Sequence, residues 1–340
     1  MQLTSVLRAL RGGAVPLDLA GPRPSARGAV GPVGARPSRP SPDQVRERAS
    51  GLPPAAAADL VARVDGLSDR EAWQVVEPLR PAPGASVLRF GTAAARQVDE
   101  TACGAAVLAM IAAHADPAVA LWLVTGEALG PPPPVLDGVG PAAGPAGRLA
   151  GLQAALHVRS TRRALLGVLP WPTALGTPPW GAARVASQIG ARAGGQRSTS
   201  YRSVMLDDTR PDEIGGMLAR ARRALAEGIP VPLYTGGDTS DGWAAAAPRH
   251  VVLLTGLDTT GLDTTGADTA GTDTAGDDTA GDDTAETPGL RVYEPSSGRE
   301  HVLAEDALLD GGTPRAAYGG WSHACWALLP AQRPARKHEA

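Results

Sequence analysis

The sequence predicts an α+β domain, with its helices first and its strands last. Three observations carry that expectation. Helical patterns fill the chain up to about Gly228, and four short apolar runs bounded by Gly or Pro follow it. The run from Cys103 to Ala113 holds no charged residue, so a helix there is apolar on every face and buried. Helices and strands do not alternate, as they would in a doubly wound α/β fold.

Taken in order, residues 1–40 are rich in Arg, Pro and Gly without a period, and read as a disordered basic arm. Residues 41–86 read as a helical segment. Ser41 is placed to cap "PDQVRERA", and Ser68 and Glu71 have the spacing of a reciprocal capping box. The main domain is expected over residues 87–330. Within it, "CGAAVLAMIAAHA" is the buried helix. "DPAVALWLVTGEA" is a second helix, with Asp116 as cap and Pro117 at its first position. "PPPPVLDG" reads as a loop, "TPPWGAARVASQIGA" as a capped helix and "YRSVML" as a strand. "RPDEIGGMLARARRALAEG" is an amphipathic helix ending at Gly228. The strands are "VPLYTG", "HVVLLTG", "LRVYEP" and "CWALLP". Residues 331–340 read as a disordered tail.

One insertion, residues 257–287, interrupts the strands. Residues 257–286 form a five-residue repeat with nine acidic residues and no basic one. A period of five fits neither helix nor strand. No recurring apolar position could line a core, so the repeat reads as a disordered, acidic extension of a hairpin.

Composition narrows the function. The chain has 340 residues, and its 42 Gly and 32 Pro exceed a fifth of them, so part of it is expected not to fold. A net charge of −3 argues against nucleic acid or an anionic membrane as the main partner. No stretch approaches the ~20 apolar residues that span a bilayer, and the first 20 residues lack a signal-peptide pattern. The expectation is a cytoplasmic protein with no integral membrane segment, acting on a peptide or protein. Cys103 and Cys325 are the only cysteines, and neither a disulfide framework nor a Cys-x-x-Cys zinc pair is present. No cofactor and no metal are implied. Oligomeric state stays open.

Four residues carry the candidate chemistry. If Thr101 caps the apolar helix, Cys103 falls in its first turn, where free N–H groups and the helix dipole favour negative charge. Thiolate is the nucleophilic form of cysteine. Gly104 after it leaves room for a substrate backbone. Gln97, six residues earlier, could donate its amide to an oxyanion together with the Cys103 N–H. His250 opens the strand "HVVLLTG" and is the candidate base. Glu294 ends the next strand, just before Pro295, where an antiparallel neighbour would bring it to His250. Each has a plainer alternative: a structural buried cysteine, a loop glutamine, a loop histidine and a solvent-facing acid. Among the other histidines, His114 lies at the wrong end of the Cys103 helix. His157 and His301 have no apolar strand attached. His323 and Cys325 cannot complete a zinc site as a pair, and His338 is in the tail.

The pattern Gln-x5-Cys-Gly, then His before a Val/Leu strand, then acid-Pro, resembles the papain-like cysteine peptidase superfamily. It is most similar to the bacterial leader peptidases that cut bacteriocin precursors after a double glycine, and to their free-standing relatives. The resemblance covers roughly residues 87–330 and is densest in "QVDETACGAAVLAMI". It implies a papain-like fold, with Cys103 as nucleophile, His250 as base, Gln97 in the oxyanion hole and Glu294 in the place of the family's Asp. Three departures stand out: Glu for Asp, Ala102 where an Asp is common, and the inserted repeat. No Gly-x4-Gly-Lys-Ser/Thr phosphate loop is present in this sequence, so the peptidase arm of an exporter is not expected. The function expected is a thiol hydrolase acting on a peptide or amide bond. The alternatives are a catalytically degenerate binding or scaffold module and a transglutaminase-like acyl transfer. The helices at 41–80 could cover the cleft of such an enzyme as a propeptide does.

Overall fold

The structure, a computed structural model, describes residues 37–165, 167–192, 199–207, 210–237, 248–258, 289–309 and 312–331. Most of the arm, the repeat from residue 259 and the tail from residue 332 lie outside the described residues. The described chain is α+β, with a six-stranded antiparallel sheet.

Helix α1 (Pro42–Ala49) starts at Ser41 and α3 (Asp69–Val76) at Ser68; the sequence predicts both caps and the reciprocal box of Ser68 and Glu71, and Ser41 forms such a box with Gln44 as well. Between them lies α2 (Pro54–Asp65). A small hairpin, β1 (Arg89–Phe90) and β2 (Ala93–Ala94), leads into α4 (Cys103–Ala115). Every residue of α4 from Cys103 to Ala113 is buried. Asp116 caps α5 (Pro117–Thr125) by accepting the Ala118 N–H at 2.8 Å, and Gly126, at φ 86°, ends it. The helices α6 (Gly144–Thr161) and α7 (Pro179–Arg192) pack against α4. Helix α6 was not expected. Gly144, Gly147 and Gly151 weaken its propensity, and its stability comes from seating Leu149, Leu152 and Leu156 in the core.

The strands follow: β3 (Tyr201–Met205), then α8 (Pro211–Ala226), β4 (Val231–Gly236), β5 (His250–Asp258), β6 (Gly289–Glu294), β7 (Arg299–Leu303), α9 (Asp306–Leu309) and β8 (His323–Pro330). Their order across the sheet is β3-β8-β4-β5-β6-β7. The period of two sorts the side chains to two faces. Val251, Leu253, Tyr293 and Leu328 join the core around α4, and Val252, Leu254, Val292 and Leu329 join the core around α8. His301 sits in the middle of β7, a strand that the sequence reading did not place and that has no apolar pattern. An edge strand of only five residues takes its conformation from pairing with β6 rather than from apolar patterning.

Two placements matter for the site. First, β5 and β6 pair antiparallel with Asp258 opposite Gly289, so the repeat departs from one end of this hairpin and His250 stands at the other. At about 3.4 Å per residue the two ends are roughly 27 Å apart. Arg291 closes the repeat end with ion pairs to Asp258 at 2.6 Å and Glu300 at 2.9 Å. Second, α1–α3 belong to the same core as α4. Val45, Leu60, Val64 and Val75 are buried in it, and Arg48 donates to the carbonyls of Ala113 and His114 at 2.6 Å each. These helices therefore hold the C-terminal end of α4, opposite Cys103. The expected disordered arm also gives way near its end: Arg39 donates to the carbonyls of Val64, Asp65 and Leu67.

Candidate active site

Cys103 is the first residue of α4. Ala102, not Thr101, is the N-cap, and it supplies no side-chain hydrogen bond. The hydroxyl and N–H of Thr101 both donate to Asp99 Oδ1 at 2.8 Å, so the Thr101 hydroxyl serves a turn before the helix instead of its first amides. The first-turn N–H groups have no intrahelical acceptor, and the Cys103 N–H is among them. Gly104 has a different use from the one expected. A Cβ there would lie 2.6 Å from Thr177 Cβ, so the space is filled by a protein side chain rather than left for substrate. Thr177 in turn keeps its buried hydroxyl without a partner and does not cap α7.

His250 and Glu294 are brought together by strand register. The pairs Leu254–Val292 and Leu253–Tyr293 continue toward Glu294 and leave His250 on the diagonal, two residues further along. Diagonal neighbours are reached by long side chains. The extra methylene of Glu over Asp makes that reach, and Glu294 Oε1 stands 2.8 Å from His250 Nε2. The carboxylate also accepts the N–H groups of Ser296 at 2.7 Å and Ser297 at 2.8 Å, in the turn after β6. The Cys103 sulfur lies near enough to the His250 ring to favour its charged form. With Glu294 on Nε2, the Nδ1 edge is the one left for sulfur.

Burial opposes charge on both members of the pair, and is outweighed on both. For His250, desolvation is exceeded by hydrogen bonds and charge interactions with Cys103 and Glu294, and the imidazole is pushed up to about 9. For Glu294, desolvation is exceeded by hydrogen bonds from His250, Ser297 and Ser296, which hold the carboxyl far below the usual range. The imidazolium therefore contributes stability that is fully present below its ordinary value of 6.5 and lost as pH rises through about 9. The carboxylate contributes stability present above its ordinary 4.5 and lost as pH falls. The melting temperature of the wild type should exceed that of Glu294→Gln most between about pH 4.5 and 6.5. The gap should narrow on both sides, and a difference independent of pH would contradict the pairing.

The His250 ring has a third neighbour that sequence reasoning missed. Gly319, at φ 68°, follows a short 3-10 turn, Ala316–Tyr318. A Cβ on it would lie 2.4 Å from His250 Cδ2 and 2.6 Å from Nε2. The turn is fixed to β4 by Thr235, whose hydroxyl donates to the Tyr318 carbonyl at 3.0 Å.

Gln97 lies in an irregular strap between β2 and α4. Its N–H donates to the Pro295 carbonyl at 2.9 Å, which ties the strap to the residue after Glu294. Its side-chain Nε2 donates to the Asp99 carbonyl at 2.9 Å, while its Oε1 is buried without a partner. The amide that the sequence assigned to an oxyanion thus rests on its own strap. Gln153 of α6, also unanticipated, bonds the strap on both sides of Gln97.

The remaining groups lie elsewhere. His114 bonds the Gly228 carbonyl at 2.8 Å and is lowered to about 4, first by burial and then by Arg48. Cys325 is buried in β8, two residues from His323. A cavity of about 550 Å³ lies among α1, α2 and α3, and neither Cys103, His250 nor Glu294 lines it. The site is tight: Cys103 is 4 %, His250 7 % and Glu294 2 % exposed. Among the described residues no single helix is long and apolar enough to cross a membrane. No family model, curated protein or solved structure matches the chain.

Proposed function

We propose that the chain is a papain-like thiol hydrolase that opens a peptide or amide bond through Cys103, His250 and Glu294. The single observation behind this reading is a buried His250 bonded to a carboxylate, with a thiol that starts a buried helix as its charge neighbour. A buried helix laid across an antiparallel sheet, with the cysteine at its N-terminus and the histidine opening a facing strand, agrees with that fold.

In this reading the Cys103 sulfur attacks the carbonyl carbon, and His250 takes the thiol proton. The carbonyl oxygen becomes an oxyanion, met by the Cys103 N–H and the Gln97 amide. Collapse breaks the C–N bond, and His250 gives its proton to the leaving amine. Water then adds to the thioester, His250 taking and returning the proton, and releases the acid and the thiol. Glu294 keeps the imidazole oriented and stabilises its charge throughout.

Iodoacetamide at mildly acidic pH tests the reading. Cys103 should be alkylated far faster than Cys325, and His250→Ala should remove the difference. Equal, slow labelling of both cysteines in the wild type would overturn it and favour a binding module. The resemblance implies cutting after a double glycine. A synthetic peptide of residues 1–25, which carries Gly12–Gly13, is the substrate to try first.

A further inference from the structure

The strap that carries Gln97 is neither helix nor strand, yet its backbone is held on both sides of that residue. The Arg96 carbonyl accepts from Gln153 Nε2 at 2.7 Å, and the Val98 N–H donates to Gln153 Oε1 at 3.0 Å. Between them the Gln97 N–H donates to Pro295 at 2.9 Å. Gln153 is 1 % exposed and reaches the strap from the middle of α6, the helix packed along α4. A carboxamide serves both ends of this bridge, because it offers a donor and an acceptor on one planar group. A carboxylate loses the donor, and a thioether loses the donor and keeps only a weak acceptor.

We propose that Gln153 is a positioning residue that fixes Gln97 for its part in the oxyanion hole. The inference rests on the hydrolase reading and adds a residue to it. The Gln97 side chain now satisfies one hydrogen and leaves its buried Oε1 without a partner. With its backbone clamped, turning the side chain about its stem moves Nε2 from the Asp99 carbonyl to an oxyanion over Cys103. Without the clamp the strap relaxes and the donor arrives misplaced. A misplacement of ~1 Å costs up to about 10²-fold in rate.

Two reagents separate positioning from structure. Acylation of Cys103 by p-nitrophenyl acetate passes through an oxyanion, whereas alkylation by iodoacetamide does not. Gln153→Met should slow acylation about 10- to 100-fold while alkylation of Cys103 keeps its wild-type rate. Gln97→Ala should do the same, and the double variant should be no slower than Gln97→Ala alone, since both act on one donor. Gln153→Asn, which keeps the amide on a shorter stem, should fall between wild type and Gln153→Met, and it carries the test if Gln153→Met does not fold. Parallel loss of acylation and alkylation, or losses that multiply in the double variant, would overturn the proposal. Failure of the hydrolase reading shows separately, as the absence of any Cys103-selective reaction in the wild type.

Discussion

Gly319→Ala should slow acylation of Cys103 about 10²-fold or more, whereas Gly320→Ala should leave it nearly unchanged. Both glycines have positive φ, 68° and 86°, so both substitutions carry the backbone penalty of a left-handed alanine, ~1–2 kcal/mol. They differ in what the new methyl meets. At Gly320 nothing lies within 4 Å, but at Gly319 the methyl would stand 2.4 Å from His250 Cδ2 and 2.6 Å from Nε2. Ordinary contact is about 3.5–4.0 Å, so the ring or the turn has to shift by roughly 1 Å. The turn is held by Thr235 and the ring by Glu294. A shifted ring lengthens its bond to Glu294 and leaves the sulfur. His250, now at about 9, should then titrate closer to its ordinary 6.5, which nuclear magnetic resonance of the ring protons would show. Equal acylation rates in the two variants would mean that this ring position is not the working one.

The contrast shows what the sequence could and could not say about the site. Cys103 was legible because an uncharged run after a cysteine has one economical structure, a buried helix with the thiol at its start. The pair His250–Glu294 was legible because two consecutive Gly- or Pro-bounded apolar runs tend to pair antiparallel, which brings the start of one to the end of the next. Gly319 and Gln153 were not. Each acts through a contact with a residue far away in the chain, and neither carries a local pattern. Helix α6 was hidden by its glycines, and β7 by its dependence on β6. Thr101 showed the limit of local rules. It has the right residue type for a cap, but Asp99 two residues earlier competes for its hydroxyl and N–H. The Glu-for-Asp departure adds one methylene to the side chain that faces His250. The diagonal register turns it into a fit, because the longer side chain spans the offset between the strands.

Removing residues 1–80 should unfold the protein instead of activating it. The opposite result was conceivable from the sequence, where α1–α3 could have been a propeptide lying over the cleft. A propeptide has to reach Cys103, but Arg48 grips the carbonyls of Ala113 and His114 in the last turn of α4. At 1.5 Å per residue that turn is roughly 15–18 Å along the helix from the thiol. Deletion would strip Val45, Leu60, Val64, Ala72 and Val75 from the core they share with α4 and α5, and would remove the buried Trp73. Trp73 alone is 1 % exposed. Losing such a side chain costs about 3–5 kcal/mol, against a total stability of about 5–15 kcal/mol for a typical domain. The carbonyls at the end of α4 would lose their Arg48 donor as well. The truncated chain should therefore show no cooperative thermal transition by circular dichroism and no Cys103-selective alkylation. A truncated chain that melts cooperatively and acylates faster than the full one would restore the propeptide reading. It would also mean that the core around α4 closes without the helices that fill one side of it.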